Sequence, residues 1–212
     1  SWLSIGGNNL TDEGGAAIIS SLKTSSSLHG ISITDDNLGD KTGTILGEAL
    51  EVNTSLTSVY FARNIFGAAT GRAIGDALRK NKSLTTLALS DNDIESGSRA
   101  IFQALKNNST LYTLQLEGNG LGDEDAFILA EALSYNKTLR SLYLGENWLR
   151  VKPILQSLTV HQTLEIVKLE GQEEPRLSVL QNIKFALTPS KKPMQFKPIP
   201  TFYGVSPNRL TL

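Results

Sequence analysis

The sequence predicts an α/β fold: a solenoid of about seven stacked copies of one strand–helix unit, wound as a right-handed β-α superhelix with parallel strands on its concave face. Two observations carry that expectation. The spacing Leu-x-x-(Leu/Ile/Val)-x-(Leu/Ile/Phe)-x-x-(Asn/Asp)-x-(Leu/Ile/Phe) returns about once every 28 residues. Its leading leucines are Leu28, Leu56, Leu84, Leu111, Leu139 and Leu164, at steps of 28, 28, 27, 28 and 25, and a truncated copy opens the chain at Leu3-x-Ile5-x-x-Asn8-x-Leu10. Within each copy the apolar period then changes from two to about 3.6, strand followed by helix. No copy can bury its apolar face alone, so stacking is obligatory.

The elements follow in order. In the copy at Leu84, Leu87 and Leu89 alternate with Thr86 and Ala88, the pattern of a half-buried strand whose neighbours are the equivalent strands of adjacent copies. Asn92 comes next, and its position recurs as Asn8, Asp36, Asn64, Asn119 and Asn147. An amide in that bend can satisfy backbone groups of neighbouring turns, which cost about 1–3 kcal/mol each if buried unpaired. Asp36 can accept but not donate, so its rung is expected to be the weaker one.

Helices follow, with inward stripes of Ala17, Ile18 and Leu22; Ile45, Leu46 and Leu50; Ala73, Ile74 and Leu78; Ala100, Ile101 and Leu105; and Ala126, Leu129, Ala130 and Leu133. Asp123-Glu124-Asp125 reads as an N-cap and acidic first turn. Ala49, Ala77, Ala104 and Ala132 are small enough to let neighbouring helices approach. Asn53, Asn81, Asn108 and Asn136 read as left-handed residues closing the helices. Each also begins an N-x-(Ser/Thr) triplet, as does Asn9.

Past residue 139 the pattern shortens: Pro153 stands near a helix start, and Gln172 occupies the place of the recurrent Asn. The array is expected to span 1–174. A capping helix at 175–188, with Leu177, Leu180, Ile183 and Leu187 inward, and an extended Pro-rich basic tail at 189–212 complete the chain. At the other end the first copy starts at its strand with no polar cap, and an open repeat edge is a solubility liability. Residues preceding Ser1 in the native chain, or another chain, are expected to cover it.

These residues resemble the ribonuclease-inhibitor-like leucine-rich repeat family. Phrases such as Gly120-Leu121-Gly122-Asp123, Leu129-Ala130-Glu131-Ala132-Leu133 and Asn136-Lys137-Thr138-Leu139 carry the likeness over about 170 residues. The resemblance implies a full helix on the convex side of each repeat. Its members include ribonuclease inhibitors, sensing arms of NOD-like receptors, the Ran GTPase-activating protein, and cytoskeletal or ciliary scaffolds.

Charge is divided along the chain. Residues 175–212 hold six basic residues and no acid, which leaves 14 Lys and Arg against 21 Asp and Glu before them. An acidic body without a basic stripe argues against nucleic acid, and no apolar run is long enough to span a membrane. Cysteine is absent, which excludes thiol chemistry and sulfur-ligated zinc and points to a cytoplasmic setting.

Chemistry is sparse. His29 and His161 lie in different copies. Asp91-Asn92-Asp93-Ile94-Glu95 has the start of a calcium loop, but Ser96 and Phe102 stand where Gly and a bidentate Glu are required. The glycines of Gly118-Asn119-Gly120-Leu121-Gly122 belong to the repeat's own turn, not to a dinucleotide site. No catalytic residue, metal site or cofactor is expected.

The outward strand residues remain. They form one column of Ser4, Ser32, Tyr60, Ala88, Gln115, Tyr143 and Lys168, and a second of Gly6, Thr34, Ala62, Ser90, Glu117, Gly145 and Glu170, with Asp35, Arg63, Asp91 and Glu146 next to it. Tyrosine and arginine in one surface are the residue types that anchor protein interfaces. The expected function is a non-enzymatic protein-interaction scaffold, a subunit of a larger assembly. It would bind protein partners through Tyr60, Arg63, Glu117, Tyr143 and Glu146, and through Phe196, Phe202 and Tyr203 of the tail, which is expected to face another subunit. The alternatives are a NOD-like sensing arm and a GTPase activator similar to the Ran regulator.

Overall fold

A computed structural model describes residues 1–161 and 163–172. The expected capping helix and tail, with Phe196, Phe202 and Tyr203, lie outside the described residues. Strand and helix alternate: β1 (Trp2–Gly6), α1 (Thr11–Ser21), β2 (Gly30–Thr34), α2 (Asp40–Val52), β3 (Ser58–Tyr60), α3 (Ala68–Lys80), β4 (Thr86–Ala88), α4 (Ser98–Leu105), β5 (Thr113–Gln115), α5 (Asp123–Tyr135), β6 (Ser141–Tyr143), α6 (Val151–Leu158) and β7 (Ile166–Lys168). A 3-10 turn, Glu95–Gly97, leads directly into α4. The strands form one open parallel sheet in the order β1 to β7. This is the α/β leucine-rich repeat solenoid that the spacing predicts.

Register follows the repeat. Ser4, Ser32, Tyr60, Ala88, Gln115, Tyr143 and Lys168 stand opposite one another across the seven strands. Behind them, Ile31, Val59, Leu87, Leu114 and Leu142 are fully buried against helix residues such as Leu46, Ile74, Ile101 and Leu129. In α1 the expected stripe is one residue out of phase: Ala16 and Ile19 are buried and Ala17 is exposed. The pair Ala-Ile there is followed by a second isoleucine, so spacing alone does not fix the rotation of the helix.

Two ladders of buried amides tie the repeats together. In the first, Asn64 Oδ1 accepts from the backbone N–H groups of Asp36 (3.2 Å) and Leu38 (3.1 Å), while its Nδ2 donates to Ile33 O (3.0 Å). Asn92 donates to Phe61 O (3.0 Å) and accepts from Phe66 N (3.1 Å), and Asn147 donates to Leu116 O (2.9 Å) and accepts from Leu121 N (3.1 Å). Gln172 completes the row, because its longer side chain still reaches Leu149 N (2.8 Å) and Leu144 O (2.6 Å). Asp36 accepts from Asn8 N (2.8 Å) and Leu10 N (3.3 Å) through Oδ1, but its buried Oδ2 has no hydrogen-bond partner.

The second ladder corrects an expectation. The residues closing the helices are extended, with φ of −75° at Asn53, −62° at Asn81 and −66° at Asn136, and are not left-handed. An extended backbone turns each amide inward. Asn81 Oδ1 caps Ser83 N (2.9 Å) and Leu84 N (2.7 Å) in its own turn, and its Nδ2 donates to Leu50 O (2.7 Å) of the preceding repeat. Asn53, Asn108 and Asn136 repeat this arrangement and are likewise buried. A glycan on any of these four Nδ2 atoms would break the inter-repeat bond. His161 holds the sixth copy's place, with Nδ1 accepting from Thr163 N (3.3 Å) and Leu164 N (3.2 Å).

Helix starts are also shared between repeats. Gly39 precedes α2 and Gly67 precedes α3 without a capping side chain. Instead, Asp12 accepts from Gly39 N and Thr42 N (both 2.9 Å), and Asp40 accepts from Gly67 N and Thr70 N (both 2.9 Å). Burial works against both carboxylates, but the hydrogen bonds from Thr42 and Gly39, and from Thr70 and Gly67, outweigh it and lower both below their ordinary values. Their contribution to stability is thus present above the ordinary carboxylate range and lost as pH falls through the lowered values. At α5 the cap is Gly122 rather than Asp123, and Asp125 reaches back to Gly122 N (2.8 Å). Glycine also lets the helices approach closely, since a Cβ on Gly75 would stand 2.4 Å from the Ala100 backbone.

Asn92→Ala is expected to lower unfolding free energy by about 1–3 kcal/mol, because it strands Phe66 N inside the stack and removes the inter-repeat bond to Phe61 O. Asp36→Asn should raise stability by restoring the missing donor. Urea denaturation checks both; an unchanged midpoint for Asn92→Ala would contradict the ladder.

Candidate functional site

The outward face of the sheet has an aromatic end and an acidic end. At β1–β3, Trp2 lies across the strand at Gly30, where any Cβ would collide with the indole, and meets Tyr60 with ring centroids 5.7 Å apart. Small residues follow, Ala62 and Ala88 being buried beneath their neighbours. At β4–β7 carboxylates gather: Asp91, Glu117, Glu146 and Glu170. Ser90 Oγ donates to Glu117 Oε2 (2.5 Å), and Lys168 Nζ lies 3.7 Å from Glu170 Oε1 and 6.0 Å from the centre of the Tyr143 ring.

This face differs electrostatically from the helical side. There, Lys23 pairs with Glu48 (2.8 Å), Lys80 with Glu51 (2.9 Å), Lys106 with Glu131 (2.7 Å) and Arg150 with Asp123 (2.9 Å), each pair joining two repeats. On the sheet face Glu117 and Glu146 form no ion pair among the described residues. Burial raises the Glu117 carboxyl above its ordinary value; the Ser90 bond opposes the rise, and the charges of Asp91 and Glu170 add to it. Asp91 is likewise raised by burial, against the pull of Arg63 and with the push of Glu146. Burial and the Glu117 charge raise the Tyr143 phenol.

The rim of the face carries backbone strain. The residue before each first-ladder side chain is left-handed: Gly7 (φ 68°), Asp35 (61°), Arg63 (53°), Asp91 (56°), Gly118 (60°), Glu146 (54°) and Gly171 (76°). For a residue with a Cβ that conformation costs about 1–2 kcal/mol, and glycine at three of the seven positions avoids it. The other four carry charged side chains pointing to the face. Outside this row, Asn9, Thr11, Asn37 and Glu95 are also left-handed.

The structure therefore brings Glu117 and Tyr143 together at the acidic end, with Glu146 on the adjoining rim. Tyr60 stands three strands away from Tyr143, at the aromatic end, and Arg63 lies on the rim facing Asp91. Tyr143 is only 9% exposed, so it forms the floor of the face more than a free anchor. Sequence reasoning missed Trp2, whose place beside Tyr60 depends on Gly30 being bare. Asn92, the second residue of the rejected calcium-loop reading, is committed to the ladder.

Segments 3–18, 80–97 and 107–130 match the family model described as Leucine Rich repeat. Solved structures of the same fold include leiomodin-1 actin-binding site 2, 20% identical over 81% of this chain and 87% of that one, with a TM-score of 0.54. The C-terminal domain of tropomodulin from Caenorhabditis elegans is 14% identical over 82% and 90%, with a TM-score of 0.47. An internalin from Listeria monocytogenes is 19% identical over 72% and 38%, with a TM-score of 0.48. No curated protein matches the sequence. Fold and matched segments together define a leucine-rich repeat fold.

Glu117→Gln, which keeps the acceptor for Ser90, should stabilise the fold at neutral pH. A carboxyl with a raised folded value binds its proton more tightly when folded, so ionising it on raising the pH costs stability. The gain should fade below about pH 4, where carboxyls are protonated in both states. Glu146→Gly should also stabilise, by up to about 1 kcal/mol, through relief of the left-handed strain. Denaturant titrations at pH 7 and pH 3.5 check both; destabilisation by both substitutions at pH 7 would contradict this description of the face.

Proposed function

We propose that the protein is a non-enzymatic interaction scaffold of the ribonuclease-inhibitor-like class, a subunit that holds a protein partner against the outward face of its sheet. The observation that carries this reading is a misfit between stability and residue choice. Where glycine would relieve strain the chain keeps Asp35, Arg63, Asp91 and Glu146, and where a neutral side chain would relieve repulsion it keeps Glu117. Strained or destabilising groups gathered at one surface are the mark of a site maintained for recognition. On the helical side, by contrast, charges are paired between repeats. The 13-residue helices of α2, α3 and α5 support the subclass.

The anchors assigned to the partner are Tyr60 and Arg63 at one end and Glu117, Tyr143 and Glu146 at the other. The likeness to leiomodin-1, whose fragment is an actin-binding site, lends this reading its fold and no partner. A cytoplasmic setting is part of the proposal and rests on the chain having no cysteine. No described helix is long and apolar enough to cross a membrane.

Affinity capture with the full chain as bait tests the reading. Tyr60→Ala, Glu117→Gln and Glu146→Gly should each reduce recovery of the captured partner, the last two while leaving the bait at least as stable. Arg72→Ala, on the exposed side of α3, should not. Loss with Arg72→Ala and retention with all three sheet-face variants would place the binding surface on the helices instead.

A further inference from the structure

We propose that the outward sheet face across β4–β7 is also the docking site of this chain's own basic C-terminal segment, residues 184–209, held through Lys191, Lys192 and Lys197. The proposal rests on reading the face as a binding surface and names an intramolecular occupant for it. Three observations support this.

The first is charge. Asp91, Glu117, Glu146 and Glu170 share the acidic end, where Lys168 lies 3.7 Å from Glu170 and Glu117 and Glu146 form no ion pair among the described residues. Burial and mutual repulsion push Glu117 and Asp91 up, so added cations would relieve an existing cost. Residues 175–212 carry Arg176, Lys184, Lys191, Lys192, Lys197 and Arg209 and no acid. The second is position. Gln172, two residues after Glu170, is pinned into the last rung of the ladder by Leu149 N and Leu144 O, so the last described residue lies beside the carboxylates. The 19 residues from Gln172 to Lys191 can span up to roughly 60 Å, while β4 to β7 cover about 15 Å. The third is composition. Met194, Phe196, Ile199, Phe202 and Tyr203 interleave with the lysines, and the face offers Tyr143 among its acids and the Trp2–Tyr60 pair at its other end.

Tethering makes this contact intramolecular, which raises the effective concentration of the segment at the face above that of a free partner. A foreign partner must therefore displace the segment, which makes it a built-in competitor for the face. Charge pairs at an exposed surface are weakened by salt, so occupancy should fall as ionic strength rises.

The chain has no cysteine, so Ser190→Cys gives a unique attachment point for a nitroxide in the full chain. Proton relaxation of backbone amides should then be enhanced at Gln115, Glu117, Tyr143 and Gly145, and not at Arg72 or Glu131 on the helices. The enhancement should fall several-fold in 1 M salt, where the Debye length is about 3 Å, and in the folded Glu117→Gln/Glu146→Gln/Glu170→Gln variant. A mixture of nitroxide-bearing chain with isotope-labelled unmodified chain should show none. Absence of enhancement on the sheet face at low salt, enhancement on the helices instead, or enhancement in the mixed sample would each overturn the proposal, the last by assigning the segment to a second copy. No partner is present in this measurement, so its failure is separate from failure of the capture experiment.

Discussion

Two ladders of buried side chains, most of them asparagine amides, bridge each repeat to the one before it, and the geometry of the stack depends on them. A parallel strand three residues long has few ladder bonds of its own, and its backbone bends sharply at both ends. Asn64 and Asn81 show how one copy solves this: the first satisfies the bend leaving the sheet, the second the bend entering it, and both donate to carbonyls of the previous copy. Because each side chain bridges to fixed backbone atoms, the phase between copies cannot slip by a residue. That constraint aligns Ser4 through Lys168 in one column and so gives the outward face its order.

Much of this is legible in the sequence because the repeat writes the same solution several times. Leucine spacing locates the strands, and recurrence of Asn64, Asn92, Asn119 and Asn147 identifies the first ladder, including the deficient rung at Asp36. The second ladder was visible only as helix-closing asparagines; its extended conformation comes from carbonyls one repeat away, which local propensity does not contain. His161 carried a usable signal, standing three residues before Leu164 as Asn136 stands before Leu139. Asp12 and Asp40 stand in the first turns of their own helices but cap the next ones. In α1, adjacent isoleucines left the helix rotation undetermined, and packing chose Ile19. Gln172 shows the reverse, a departure in sequence that costs nothing in geometry because one extra methylene still reaches both partners.

The candidate surface was legible as two columns of side chains, but its character was not. Left-handed backbone at Arg63 and Glu146 follows from the ladder, since the residue ahead of each rung must turn the chain back toward the stack. Three copies meet that demand with glycine and the rest with charge. Burial raises the Glu117 carboxyl, and the charges of Asp91 and Glu170, which follow β4 and β7 and are far apart in sequence, add to the rise. Both properties emerge only once the repeats are stacked, and both set the sheet face apart from a helical side where lysines and glutamates of successive repeats neutralise each other.

The central claim is that the inward amides, more than the short strands, hold successive repeats in place. Native-state hydrogen exchange addresses it through the backbone N–H groups of Leu56, Leu84, Leu111 and Leu139, which donate to Asn53, Asn81, Asn108 and Asn136 at 2.7, 2.7, 2.9 and 2.8 Å. These protons lie in turns, where exchange is ordinarily fast, yet the account predicts that they exchange only through global unfolding, with the same free energy as the buried centres of α2 and α3. Exchange through local opening, well below the global unfolding free energy, would contradict it.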